Sequence, residues 1–332
     1  MRSFIYTIIL LLFVPVAFVA CDDWTEVETV NVQHPVERGD EYFKNLRAYK
    51  SVMSERQITF GWFGGWTAKG PSMVSRLRAI PDSVDIVSIW GKYSNLDDTQ
   101  KEDLKYVQEV LGTKVTYTIF AHEVPEPFEA TTEGVQAYAK ALADTMYKYN
   151  YDGLDLDYEP GFGGEGPLVG YDNELMRDFV IALSEYFGPG SDTDKLLLID
   201  GVPYAVHSEI APLFNYGVVQ AYGSSGDYDL QNRFDYAFNN GWLPEQYVFA
   251  ENFESYWRTG GTTYYTHVDD ATGVTTTMNS LKGMALFYPK VNGKRMRKGG
   301  CGTYHMEYEY AHPDLDYKYL REAAQIMNPS VR

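Results

Sequence analysis

From about residue 42 onward the hydrophobic residues fall into two alternating textures. Short β-rich apolar runs, each closed by Gly, Pro or polar residues, stand at 58–62, 84–90, 115–120, 153–158, 196–199, 218–222, 247–253 and 284–288. Between them, apolar residues recur at spacings of three and four. Val135, Tyr138, Ala139, Leu142 and Met146 share one helical face; Leu175, Phe179 and Leu183 share another, ended by Gly188-Pro189-Gly190. A further helix is predicted over 42–55. Eight strand–helix units in about 250 residues predict an α/β protein of the closed (β/α)8, or TIM-barrel, type. A doubly wound open sheet shows the same alternation but needs a first turn of G-x-G-x-x-G type, and Phe60-Gly61-Trp62-Phe63-Gly64-Gly65 does not supply one.

Residues 1–20 differ in character. Met1 and Arg2 precede an uncharged run, 3–20, whose apolar centre is too short for a membrane span. It reads as an export signal. The run closes on Phe18-Val19-Ala20-Cys21, which resembles a bacterial lipobox with Phe18 in place of the usual Leu, so that Cys21 would be acylated and become the mature N-terminus. Ordinary cleavage beside a spare thiol is the alternative. The chain has only two cysteines, so lipidation of Cys21 leaves Cys301 unpaired. The next residues, Asp22-Asp23-Trp24-Thr25-Glu26, resemble the acidic export tag of Bacteroidetes surface lipoproteins. Residues 21–40 lack hydrophobic periodicity and read as a lipidated tether, leaving 41–332 as one barrel domain. The expected location is the outer membrane, exposed at the cell surface.

Charge narrows the partners. The 46 acidic residues outnumber 28 basic ones, for a net charge of −18, and no basic stripe is present. Nucleic acid and anionic membrane surfaces are therefore disfavoured, and membrane contact is expected only through the lipid. The 28 Tyr, 17 Phe and 6 Trp exceed what a core of this size needs. Such rings suit flat, weakly polar faces such as those of sugars.

The segment Asp152-Gly153-Leu154-Asp155-Leu156-Asp157-Tyr158-Glu159 carries the most chemistry. Side chains alternate along a strand, so Asp155, Asp157 and Glu159 share one face and Leu154, Leu156 and Tyr158 the other. In a barrel the apolar face meets the helices. The acids then point inward, about 7 Å apart, and climb toward the C-terminal rim where barrel enzymes keep their chemistry. Three neighbouring carboxylates cannot all ionise cheaply, so at least one should hold a proton near neutrality. Glu159, outermost and longest, is the natural general acid; Asp157 can reach a substrate group beside it, and Asp155 can pass a hydrogen bond along the stack. Solvated acids would need an exposed antiparallel face, which the Leu-Leu-Tyr alternation opposes. Clustered carboxylates also suit Mg²⁺ or Ca²⁺, although no further acidic cluster at a strand end clearly completes such a site. The expectation is no metal and no cofactor.

These eight residues match the D-G-x-D-x-D-x-E signature, and on its fourth strand the chain resembles glycoside hydrolase family 18. The resemblance implies that Glu159 protonates the glycosidic oxygen and then acts as base, while the substrate's own 2-acetamido carbonyl is the nucleophile; the family is an exception to two-carboxylate hydrolysis. It also implies that Asp157 orients the acetamide N–H, that Asp155 supports Asp157, and that Asp152 is structural. Val219-Gln220-Ala221-Tyr222-Gly223 is similar to the family's Q-x-Y pair, whose Tyr hydroxyl holds the acetamide oxygen, which marks Tyr222 and Gln220.

Two segments depart from the chitinases of that family. Tyr117-Thr118-Ile119-Phe120-Ala121 replaces S-x-G-G on the third strand, and Leu286-Phe287-Tyr288-Pro289 stands where an eighth-strand Trp is usual. With no evident inserted domain, the chain looks more like the endo-β-N-acetylglucosaminidase branch, which cuts the N,N′-diacetylchitobiose core of N-linked glycans. N-glycans of glycoproteins are then the expected partners, for a monomer. A chitinase or chitooligosaccharide hydrolase is the alternative within enzymes, and a non-catalytic glycan-binding lipoprotein the alternative outside them. The Gly-rich 160–172 loop, Trp90 at the end of the second strand and Asn252 after the seventh are candidate glycan contacts.

Overall fold

The computed structural model describes residues 38–162, 165–269 and 271–329; the export signal, Cys21 and nearly all of the tether lie outside them. Eight parallel strands close into a barrel in the order β1 (Ile58–Phe63), β2 (Ile86–Ile89), β3 (Lys114–Phe120), β4 (Gly153–Tyr158), β5 (Leu196–Gly201), β6 (Tyr216–Gln220), β7 (Tyr247–Asn252) and β12 (Gly300–Tyr304), which returns to β1. The α-helices are α1 (Asp40–Ser51), α2 (Asp98–Glu109), α3 (Thr132–Tyr149), α4 (Glu174–Leu183), α5 (Asp227–Asn239), α6 (Phe253–Tyr256), α7 (Ser280–Leu286) and α8 (Lys318–Met327). The (β/α)8 expectation thus holds.

The caps explain several helix starts. Asp97 and Gln100 form a reciprocal capping box at α2, Thr131 accepts from Gly134 N at α3, and Asn173 accepts from Met176 N at α4. Strand alternation then divides the apolar residues into two cores. Ile58, Phe60, Trp62, Ile86, Leu198, Val218, Val248 and Ala250 fill the barrel interior. Leu154, Leu156 and Tyr158 pack outward with Val135, Ala139 and Met146 of α3 and Phe179 and Leu183 of α4.

One strand expectation fails. The apolar run 284–288 belongs to α7 and the turn after it: Leu281, Met284 and Ala285 are buried, and Asn279 caps the helix by accepting from Lys282 N. A short apolar run fits a buried helix as well as a strand. The closing strand is instead Gly300-Cys301-Gly302-Thr303-Tyr304, whose glycines disguise it. A Cβ on Gly300 would lie 2.0 Å from the Ile58 carbonyl oxygen, and one on Gly302 would lie 2.3 Å from that of Phe60. Close approach to β1 therefore demands glycine where propensity would ask for β-branched residues. Between β7 and β12 the chain also inserts α6, a β8–β9 hairpin (Thr263–Val268, Thr275–Asn279), α7 and the short pair β10–β11 (Lys290–Val291, Lys294–Arg295).

Candidate active site

β4 places its acids as its alternation demands. Asp155 is fully buried in the barrel, and its Oδ2 accepts from Trp62 Nε1 at 2.9 Å and from Thr118 Oγ1 at 3.2 Å. Ser88 Oγ lies 2.7 Å from that Thr118 hydroxyl, so β1, β2 and β3 all converge on this carboxylate. Asp157 lies one inward step nearer the rim, also buried, and Glu159 follows the strand as a half-buried residue. The opposite face is scaffold. Asp152 accepts from Val115 N at 2.9 Å, Gln108 Nε2 at 2.7 Å and Lys114 Nζ at 3.2 Å, tying β4 to β3. The Tyr158 hydroxyl meets Leu168 O and the backbone of Gly170, which clamps the Gly-rich loop after β4.

A fourth acid joins the stack. Asp200 on β5 is paired in register with Asp157, is 1% exposed, and accepts from Gln220 Nε2 of β6 at 3.1 Å. The sequence pattern predicts a strand that ends at Ile199, because Asp200-Gly201 has the composition of a turn. The alternation Leu196, Leu198, Asp200 was the available signal. Gly201 is required: its φ is +89°, and a Cβ there would lie 2.6 Å from Tyr158 O and 2.9 Å from Glu159 Cγ. The Glu159 side chain therefore passes over a residue without a side chain.

The charges of this group oppose one another. Burial raises the Asp157 carboxyl, and the neighbouring charges of Glu159 and Asp155 raise it further. Asp200 is raised well above the carboxylate range by burial and by Asp155 and Asp157. Asp155 is also raised by burial, but hydrogen bonds from Ser88, Trp62, Thr118 and Asp200 hold it back. Near neutrality the most readily ionised member of these three is thus the deepest, and protons remain above and beside it.

Aromatic rings form the wall. The half-buried Tyr222 ring stacks on Tyr304 at 6.1 Å, and burial, with Asp200, Tyr304, Asp157 and Glu159 beyond it, raises its hydroxyl well above the usual range. Trp90 packs edge-on against Tyr304 at 5.4 Å and Phe120 at 5.3 Å. Tyr304, last residue of β12, thus occupies the eighth-strand rim position that the sequence pattern assigns to Leu286–Pro289. Beside Trp90, a cavity of about 750 Å³ is lined by Thr118, Phe120, His122, Glu123 and Glu165. Asn252 is used differently: its side chain accepts from Ser255 N and caps α6. Next to it, Glu251 is fully buried and accepts from Gly223 N, Asn252 N and Ser280 Oγ. Cys301 packs in the outer core, its thiol pushed up to about 12 by burial. Among the described residues no group of three or more His, Cys, Asp and Glu side chains has the arrangement of a metal centre.

The model of glycoside hydrolase family 18, BT1044-like, matches residues 21–135 and 127–326. The chain belongs to glycoside hydrolase family 18. A solved structure of BT1044, in a selenomethionine-labelled variant form, is 33% identical with a TM-score of 0.73, covering 89% of this chain and 98% of that one. Among curated proteins, endo-beta-N-acetylglucosaminidase F2 of Elizabethkingia meningoseptica is 33% identical over 199 residues, 54% of this chain and 55% of its own. Endo-beta-N-acetylglucosaminidase EndoS of Streptococcus pyogenes serotype M1 is 28% identical over 311 residues, 79% of this chain. The chain spans about half the length of the first and about a third of the second. The apo structure of an endo-beta-N-acetylglucosaminidase from Cordyceps militaris shares the fold at a TM-score of 0.64 and 24% identity.

Proposed function

We propose that this family 18 chain is an endo-β-N-acetylglucosaminidase that hydrolyses the β-1,4 bond of the N,N′-diacetylchitobiose core of N-linked glycans, with retention and with assistance from the substrate. One observation carries the reading: Asp155, Asp157 and Glu159 climb a single inward face of β4 to a mouth walled by Tyr222, Tyr304 and Trp90. Relatives named for this activity among the curated proteins support the choice of bond.

In the proposed reaction the Glu159 carboxyl gives its proton to the glycosidic oxygen as the bond from C1 to that oxygen breaks. The acetamide carbonyl oxygen of the same sugar closes on C1, giving an oxazolinium whose N–H is held by Asp157 and whose ring oxygen is held by the Tyr222 hydroxyl. The Glu159 carboxylate then takes a proton from water, and the resulting hydroxide opens the ring at C1, returning Glu159 to its acid form with configuration retained. Asp155, anchored by Trp62 and Thr118, fixes the height of Asp157. Gln220 and Trp90 line the approach; Asn252, whose oxygen caps α6, contributes by shaping the rim.

The test is intact-mass analysis of an N-glycoprotein, with chitooligosaccharides in parallel. One N-acetylglucosamine should remain on each processed Asn, and Glu159→Gln should lower the rate by about 10³-fold. Cleavage of chitooligosaccharides alone would make the chain a chitinase; glycan binding without cleavage would make it a binding protein.

We also infer that the domain at 41–332 is exported and held at the outer membrane through lipidated Cys21 and the tether at 21–40, on the strength of the signal-like run and the lipobox-like residues. Metabolic fatty-acid labelling should be lost in Cys21→Ser. Labelling that persists would rule out that anchor.

A further inference from the structure

Three buried oxygens in the acid stack lack partners: Asp155 Oδ1, Asp157 Oδ1 and Asp200 Oδ2. Asp155 uses Oδ2 for Trp62 and Thr118, and its Oδ1 accepts from no other donor; Asp200 uses Oδ1 for Gln220, and its Oδ2 is equally unmatched. Both residues are essentially inaccessible to water, and the two carboxyl groups lie within hydrogen-bonding reach of each other. Two carboxylates cannot satisfy this contact, because neither has a hydrogen to give. One carboxylic acid and one carboxylate can. The surroundings decide which is which: Asp155 faces two donors on its other oxygen, whereas Asp200 faces only the Gln220 amide, which serves a neutral carbonyl oxygen equally well.

We propose that Asp200 is a positioning residue that stays protonated and donates its O–H to Asp155, fixing Asp155 as the anion beneath Asp157. The proposal rests on the substrate-assisted reading above and adds a part to it. With three donors on Asp155, its negative charge stays deep in the barrel and favours the protonated form of Asp157, whose carbonyl oxygen can still accept from an N–H. Groups facing Asp200 are Asp155 and Asp157 from β4, Glu159 beyond β4, and Gln220 and Tyr222 from β6 and its exit. The direction of the Asp200 shift, upward from burial and these acids, agrees with a retained proton. Gln220 then acts in the reaction through Asp200.

Asp200→Asn and Asp200→Ala separate this role from simple packing. An Asn amide can still donate to Asp155 and accept from Gln220, and it exchanges a neutral group for a neutral group. Asp200→Asn should therefore keep kcat within about threefold of wild type and leave the acid limb of the pH profile unmoved, whereas Asp200→Ala should lower kcat about 10- to 100-fold with little change in KM. An ionised Asp200 would give the opposite result: removing that anion would shift the acid limb downward, and Asn would be as damaging as Ala. Both outcomes would overturn the proposal. A readout independent of any substrate is the infrared difference spectrum of wild type minus Asp200→Asn at neutral pH. A protonated-carboxyl C=O band assigned to Asp200 is expected, and a carboxylate band in its place would overturn the proposal even if the chain cut no glycan.

Discussion

Buried acids serve two ends of this barrel in opposite ways. On the β7 side, Glu251 accepts from Gly223 N, Asn252 N and Ser280 Oγ. Glu309 accepts from Tyr319 N and Leu320 N at the start of α8, and Asp103 accepts from Trp66 Nε1, Leu77 N and the Arg78 guanidinium. Each of these three acids ties neighbouring segments together through donors of fixed position. On the β4–β5 side, Asp155, Asp157 and Asp200 each retain a buried oxygen without a donor, and their neighbours are other acids. The residue type and the burial are alike; the partners differ. Acids saturated by fixed donors build the frame, while acids left to share protons among themselves keep a group that can move.

Exchanging a carboxyl for an amide separates Asp157 from the acids of the frame. Asp157→Asn should reduce turnover about 100-fold, because an amide can accept from the acetamide N–H but cannot take on negative charge as the oxazolinium forms, and steady-state rates on a glycoprotein check this. Unchanged rates would remove Asp157 from the reaction. Glu251→Gln preserves the acceptor for Gly223 N and Asn252 N and should cost under about 1 kcal/mol, whereas Glu251→Ala strands three donors and should cost about 2–4 kcal/mol in denaturant unfolding. Equal losses would contradict the scaffold role. Gly201→Ala forces a Cβ against Tyr158 O and Glu159 Cγ, and a fall in kcat of about tenfold in a folded protein is expected.

The smallest effect is on stability against pH. Asp157 and Asp200 have folded-state values above their unfolded ones, so the unfolded chain ionises first as pH rises. Stability is then lost between the ordinary carboxylate range and the raised folded values, and recovered on acidification through that window. Asp157→Asn should raise Tm by a few degrees at neutral pH, a gain that vanishes below about pH 3, where both states of the wild type are protonated. A constant difference at both pH values would mean that Asp157 is not held protonated in the native protein.

The legible parts of the sequence were those governed by a local period. Along 153–159 the two-residue alternation alone placed Asp155 and Asp157 inside and Leu154 and Leu156 outside, and the helical face through Val135, Ala139, Leu142 and Met146 packs as its spacing implies. Tertiary closeness hid the rest. Gly300 and Gly302 lie where β12 presses on β1, so the closing strand looked like a loop and Tyr304 went unseen. Asp200 and Gly201 looked like a turn because nothing local shows that a side-chain-free residue must make room for Glu159. Asn252 looked like a rim contact, but its oxygen caps α6, a use only the following backbone reveals.

The central claim is that one general acid, Glu159, works with the substrate's own acetamide above a stack of proton-sharing aspartates. Time-resolved proton NMR of the freshly released glycan tests it most directly. The new reducing-end N-acetylglucosamine should appear first as the β-anomer and equilibrate later, and Glu159→Gln should release almost none. Initial appearance of the α-anomer would mean direct attack by water, and the account would be wrong.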